Sequence, residues 1–134
     1  MGMAPCKREH DGKWMNTTET PVWGILGAGA MGWLWTFALQ HSGTKTLLLQ
    51  RRAVEWRTCR IQQEKSSYVC NTPSAKASNA TLPPLQALLV TTKAFDVHAA
   101  LTPLREQLQS QRCPVLLAQN GMGVFEEARA LLPT

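Results

Sequence analysis

Residues 22–34 read VWGILGAGAMGWL, and the rest of the chain is organised around them. A short apolar run, Val22–Leu26, is followed without a gap by Gly27, Ala28, Gly29, Ala30, Met31 and Gly32, and then by an apolar segment of helical character. The hexapeptide satisfies G-x-G-x-x-G between a strand and a helix. Each glycine has a physical task in that setting. The first permits the tight strand-to-helix turn, the second lets a pyrophosphate approach the backbone, and the third lets the helix pack against the strand. The N-terminus of the helix offers unpaired N–H groups and a partial positive charge to phosphates. The strand before and the helix after carry more weight than the glycines alone, because glycine-rich turns also occur without a ligand.

Downstream, Met31, Leu34, Trp35 and Ala38 recur at helical spacing. They predict a helix from about Ala30 with these residues facing the core, and Trp33 and Phe37 widening the apolar surface. His41-Ser42-Gly43 ends it, Gly43 suiting a left-handed cap. A second strand follows over residues 45–50, and its centre, Leu47-Leu48-Leu49, suits a strand covered on both faces. Nicotinamide dinucleotide folds discriminate between cofactors at the end of this strand, where NAD-type sites place an Asp or Glu on the ribose 2′-OH. Here the chain reads Gln50-Arg51-Arg52, with no carboxylate until Glu55. A guanidinium in that place pairs bidentately with a 2′-phosphate, which points to NADP(H). The structural alternative is a pair of solvated arginines at a strand end.

Residues 57–80 are the least legible. Residues 58–62 and 67–70 read as two short strands around Glu64-Lys65-Ser66, and 71–84, rich in Pro, Ser, Asn and Ala, reads as loop with a turn of helix. Order returns with Leu88-Leu89-Val90-Thr91-Thr92, a buried-type strand running into Lys93. Residues 96–108 predict a helix with Val97, Ala100, Leu101 and Leu104 inward and a break at Pro103. Residues 114–118 form another short strand ending in Gln119-Asn120-Gly121-Met122-Gly123, and 124–132 a final helix.

This alternation predicts an α/β chain, a Rossmann-type doubly wound, mostly parallel sheet of order 3-2-1-4-5 with the glycine turn at its centre. Successive strands then carry the glycine turn, Arg51, Lys93 and Asn120 at their C-terminal ends, where open parallel sheets bind ligands. Lys93 suits a phosphate, a carboxylate or a polarised carbonyl, and Asn120 a carboxamide or a keto acid. A snorkelling lysine and a turn asparagine are the structural alternatives.

The chain has 134 residues, one domain's worth, with 44% hydrophobic and 17% charged residues, which excludes wholesale disorder. No apolar run approaches the ~20 residues of a membrane span. A net charge of +5 invites an anionic partner, but the basic residues form no long run and no aromatic–basic motif, so nucleic acid is not expected. Cys6, Cys59, Cys70 and Cys113 form no C-x-x-C, and His10, His41 and His98 are scattered. Zinc and redox chemistry are therefore not expected, and the cysteines read as thiols of a reducing cytoplasm. Residues 1–20 carry charge with no apolar h-region and read as a disordered leader, with 21–134 as the nucleotide-binding domain.

GILGAGAMGWLW, the arginine after strand two, VTTKAFDV and LLAQNGMG together resemble the ketopantoate reductase (2-dehydropantoate 2-reductase) family. VTTKA followed by QNGMG is far more specific than the glycine fingerprint. The resemblance runs over roughly residues 22–133 and is weakest between 55 and 84. It implies NADPH-dependent reduction of ketopantoate to (R)-pantoate, on the way to pantothenate and coenzyme A. It matches Gly27, Gly29 and Gly32 to the pyrophosphate loop, Arg51 to the 2′-phosphate arginine with Arg52 as helper, and Lys93 and Asn120 to the cofactor–substrate cleft. The family's general-acid lysine lies in a helical C-terminal domain that the resemblance does not reach, so no catalytic acid is assigned. This chain is then expected to be an incomplete NADP-binding domain, inactive alone and prone to self-association through an exposed sheet edge. The alternatives are a non-catalytic NADP(H)-binding module and a reductase of another small 2-keto acid.

Overall fold

The computed structural model describes residues 21–51, 56–119 and 123–132. Strand β1 (Val22–Leu26) leads through the glycine turn into helix α1 (Ala30–His41), and strand β2 (Lys45–Gln50) follows. Strands β3 (Trp56–Gln63) and β4 (Ser66–Lys76) form a hairpin. Strand β5 (Ala87–Val90), helices α2 (Val97–Leu101) and α3 (Arg105–Gln111), strand β6 (Val115–Leu117) and helix α4 (Val124–Leu131) complete the described elements.

The sheet has the order β3-β4-β2-β1-β5-β6. All neighbours are parallel except β3 and β4. Without the antiparallel edge strand β3, the remaining order is the expected 3-2-1-4-5, with β1 in the middle. Leu26 is level with Leu49 of β2 and Val90 of β5, so the segments leaving these three strands start side by side. That alignment makes the site.

Side chains alternate across the strands and build two cores. Leu26, Leu47, Leu49, Leu88 and Val90 pack with α2, α3 and α4 on one face, while Ile25 and Leu48 pack with Trp33 of α1 on the other. Full burial of such a side chain contributes about 1.5–3 kcal/mol. The expected inward residues Val97, Leu101 and Leu104 are fully buried, with Ala100 packed against them. The break at Pro103 is present as a 3₁₀ turn, Thr102–Leu104, between α2 and α3.

Two expectations are overturned. Helix α1 turns Met31, Leu34, Trp35 and Ala38 outward, the first three each at least 41% exposed, and buries Gly32, Trp33, Thr36 and Gln40. The phase is set by Gly32, which must meet β1, so the residues four and eight positions on follow it inward. Their polarity is satisfied. Thr36 Oγ1 donates to the Gly32 carbonyl at 2.7 Å. Gln40 Nε2 donates to Thr46 Oγ1 at 2.7 Å and to the Asn71 carbonyl at 2.9 Å. The second correction is β4, which continues as strand through Lys76 where a loop was expected from Asn71. Pro73, which cannot donate to a ladder, stands where pairing with β3 ends and pairing with β2 begins, the latter from Leu48↔Ser74. The Thr46 and Thr72 hydroxyls, 2.8 Å apart, hold this polar strand inside the sheet.

Candidate cofactor-binding site

Gly27 has φ +117, a conformation that L side chains rarely adopt. Its N–H donates to the Leu49 carbonyl of β2 at 2.9 Å, tying the turn to its neighbour strand. A Cβ on Gly32 would fall 2.0 Å from the Gly27 carbonyl oxygen, which only a hydrogen tolerates. Gly29 is different. No described residue lies within 4 Å of its would-be Cβ, and it is the N-cap of α1 with no side-chain cap and no acid in the first turn. The first N–H groups of the helix have no intrahelical partner and no side-chain cap, and Ala28, Ala30 and Met31 complete the turn that carries them.

Arg51 follows β2 with its side chain 89% exposed, and its Nη2 lies 3.6 Å from Oδ2 of Asp96. Asp96 ends a short 3₁₀ turn, Ala94–Asp96, beyond β5. Since β2 and β5 flank β1, this ion pair reaches across the mouth of the glycine turn. Lys93 is exposed at the start of that 3₁₀ turn, directly beyond Thr91 and Thr92. The residues 27–32, Arg51 and Lys93 thus share one edge of the sheet, whereas Arg52 and Asn120 lie outside the described residues. Asp96, Thr91 and Gln119 were given no role on sequence. Thr91 Oγ1 reaches the Leu26 and Gly27 carbonyls, and Gln119 Nε2 those of Val90 and Thr92. Only their place in VTTKAFDV and LLAQNGMG pointed to them.

Among the described residues no three of His, Cys, Asp and Glu gather as a metal site, and no helix is long and apolar enough to cross a membrane. Burial raises the Cys113 thiol to about 11 from 9.0, so it stays protonated at neutral pH and is no nucleophile. The unfolded chain loses this proton near 9 and the folded chain near 11, so the stability linked to Cys113 is present below pH ~9 and is lost as pH rises between those values. Urea unfolding across this range is expected to show a fall in stability that Cys113→Ala reduces.

The family model described as ketopantoate reductase PanE/ApbA matches residues 23–134. The chain belongs to the ketopantoate reductase family. A 2-dehydropantoate 2-reductase of Vibrio cholerae is 34% identical over 102 residues, a match covering 76% of this chain and 32% of the relative. The chain thus spans about a third of the length of that ketopantoate reductase. Two solved structures share the fold, each with a TM-score of 0.60 over 84% of this chain. One is a D-mandelate dehydrogenase in complex with NADH, 18% identical and covered to 35%. The other is a dimeric ketopantoate reductase from Staphylococcus aureus, 22% identical and covered to 39%. The matched residues include the glycine turn, Arg51 and Lys93, which lie at the sheet edge just described.

Proposed function

We propose that the chain is the cofactor-binding part of an NADPH-dependent 2-dehydropantoate 2-reductase that reduces ketopantoate to (R)-pantoate. The observation that carries this reading is the contrast within the glycine turn. Gly27 and Gly32 are filled against protein, and Gly29 is left open at an uncapped helix N-terminus. That is the shape a dinucleotide diphosphate fills. Backbone N–H groups of residues 28–32 hold the diphosphate, and Arg51, helped by Arg52, holds the 2′-phosphate. The bound cofactor supplies the hydride. Lys93 and Asn120 line the substrate side, where an ammonium and a carboxamide orient a keto acid. The proton for the developing alkoxide is left to a residue beyond this chain's assigned site.

Titration of the full chain with NADPH and NADH, followed by nicotinamide fluorescence, tests the binding half. NADPH consumption with ketopantoate tests the reaction. Binding without turnover is expected of this cofactor-binding part and of a non-catalytic NADP(H)-binding module alike, turnover only of another 2-keto acid reassigns the substrate, and binding of neither nucleotide overturns the reading.

A smaller effect follows from the ion pair. Asp96 is the carboxylate that a 2′-phosphate must displace from Arg51, and it repels that phosphate while Arg51 attracts it. Asp96→Asn is expected to raise NADPH affinity about two- to fivefold at low salt and leave NADH unchanged, since an exposed pair is worth only about 0.2–1 kcal/mol. An unchanged ratio of the two affinities would show that the pair has no part in discrimination.

A further inference from the structure

The glycine turn, residues 27–32, has no side-chain hydrogen-bond donor of its own with which to hold its shape. The structure supplies them from the next strands. The Thr91 hydroxyl lies in the angle between the end of β1 and the first turn of α1. It donates toward the Leu26 carbonyl at 3.1 Å and the Gly27 carbonyl at 3.2 Å. It is also 2.8 Å from where a Cβ on Gly27 would stand and 3.0 Å from one on Gly32. A single oxygen therefore touches the turn's first and third glycines and fixes the carbonyl between them.

Thr91 is itself held from the other side. The carbonyls of its two neighbours, Val90 and Thr92, both accept from Gln119 Nε2, at 2.9 and 2.7 Å. The orientation of this carboxamide is not arbitrary, because flipping it would set Oε1 against two carbonyl oxygens. Among the described residues Oε1 has no hydrogen-bond partner. The chain of contacts runs from Gln119 beyond β6, through the end of β5, to Thr91 and the Gly27 carbonyl. It crosses three strand ends and includes the carbonyl of Thr92, the residue before Lys93.

We infer that Thr91 and Gln119 are positioning residues that hold the glycine turn in the shape accepting a diphosphate. The inference rests on the nicotinamide-nucleotide reading above. The competing explanation is general stability, and the two separate by ligand. NADPH carries a diphosphate. Adenosine 2′-monophosphate carries only the 2′-phosphate that Arg51 would read. Thr91→Val keeps shape and volume and removes the hydroxyl, while Thr91→Ser keeps the hydroxyl.

In the full chain, Thr91→Val is expected to weaken NADPH binding about five- to tenfold, the worth of one or two hydrogen bonds. It should leave adenosine 2′-monophosphate binding unchanged, and Thr91→Ser should restore NADPH binding. Should Thr91→Val fail to fold, Gln119→Met carries the same two-ligand comparison. Equal weakening of both ligands, or no weakening of either, overturns the positioning role alone. A wild-type chain that binds neither ligand overturns the nucleotide reading, and the positioning role falls with it.

Discussion

Gly32→Ala is expected to destabilise the fold severely, and Gly29→Ala to leave the fold intact while weakening dinucleotide binding. The two substitutions add the same methyl group three residues apart. At Gly32 it would stand 2.0 Å from the Gly27 carbonyl oxygen, 3.1 Å from the carbonyl carbon and 3.0 Å from Thr91 Oγ1. The closest of these atoms is backbone, so no rotamer change relieves the clash. The start of α1 must move off β1 by about an ångström or more. That movement would loosen Trp33 from Ile25 and Leu48, which together form the core on that face. Overpacking of a core costs about 1–3 kcal/mol where side chains can adapt, and a backbone clash belongs at or beyond the upper end. For a domain of this size that lowers Tm by roughly 10 °C or more. At Gly29 the methyl meets no described residue within 4 Å. The residue has φ −82 and ψ −168, which alanine adopts freely, so stability should stay within about 0.5 kcal/mol. The methyl nonetheless occupies the space assigned to the diphosphate, and NADPH affinity should fall at least about tenfold. Thermal unfolding by circular dichroism and NADPH titration read the two effects separately. A Gly32→Ala chain with the wild-type Tm, or a Gly29→Ala chain that binds like wild type, would contradict the reading of the turn.

The same glycine explains where sequence reading succeeded and where it failed. The strands β1, β2, β5 and β6 are short apolar runs, and their apolar character suffices to place them. The parallel order follows from the alternation with helices, and Gly27, Arg51 and Lys93 come together because they end adjacent strands. Helix α1 was read in the wrong phase because its outward side, Met31, Leu34 and Trp35, is more apolar than part of its buried side, Thr36 and Gln40. Hydrophobic periodicity loses to a steric requirement when one residue must be glycine at a fixed contact. Counting forward from Gly32 in steps of four would have found the buried face. The second half of β4 was hidden for a related reason. Asn71, Thr72, Pro73 and Ser74 have the composition of a loop, and they become strand interior through pairing with β3 and β2 and hydrogen bonds with Gln40, Thr46 and Gln50. Asp96, Thr91 and Gln119 act across strands or on backbone carbonyls. Such roles depend on which strands are neighbours, a fact that no local pattern carries.

Arg51→Ala is expected to weaken NADPH binding by about ten- to a hundredfold while leaving NADH binding and the fold nearly untouched. Stability should hold because the side chain is 89% exposed and its ion pair with Asp96 spans 3.6 Å. Such pairs are screened and add little to folding. The affinity loss should be large because a guanidinium binds a phosphate through charge-assisted, bidentate hydrogen bonds, worth about 1.5–3 kcal/mol. NADH has a hydroxyl where NADPH has that phosphate, so it loses no charge pair. Asp96, freed of its cation, lies on the same side of the cleft, and any change for NADH should be slight and toward tighter binding. The effect should shrink as salt is raised, since the Debye length falls from about 10 Å at 0.1 M to 3 Å at 1 M. Arg51→Lys separates charge from geometry. A point charge without the planar fork should recover only part of the loss. Parallel titrations of wild type, Arg51→Ala and Arg51→Lys with both nucleotides, at low and high salt, measure all of this. Equal losses for NADPH and NADH would make Arg51 a structural residue. An NADPH affinity unmoved by Arg51→Ala would shift 2′-phosphate recognition onto another cation of the same sheet edge, with Lys93 the first to replace.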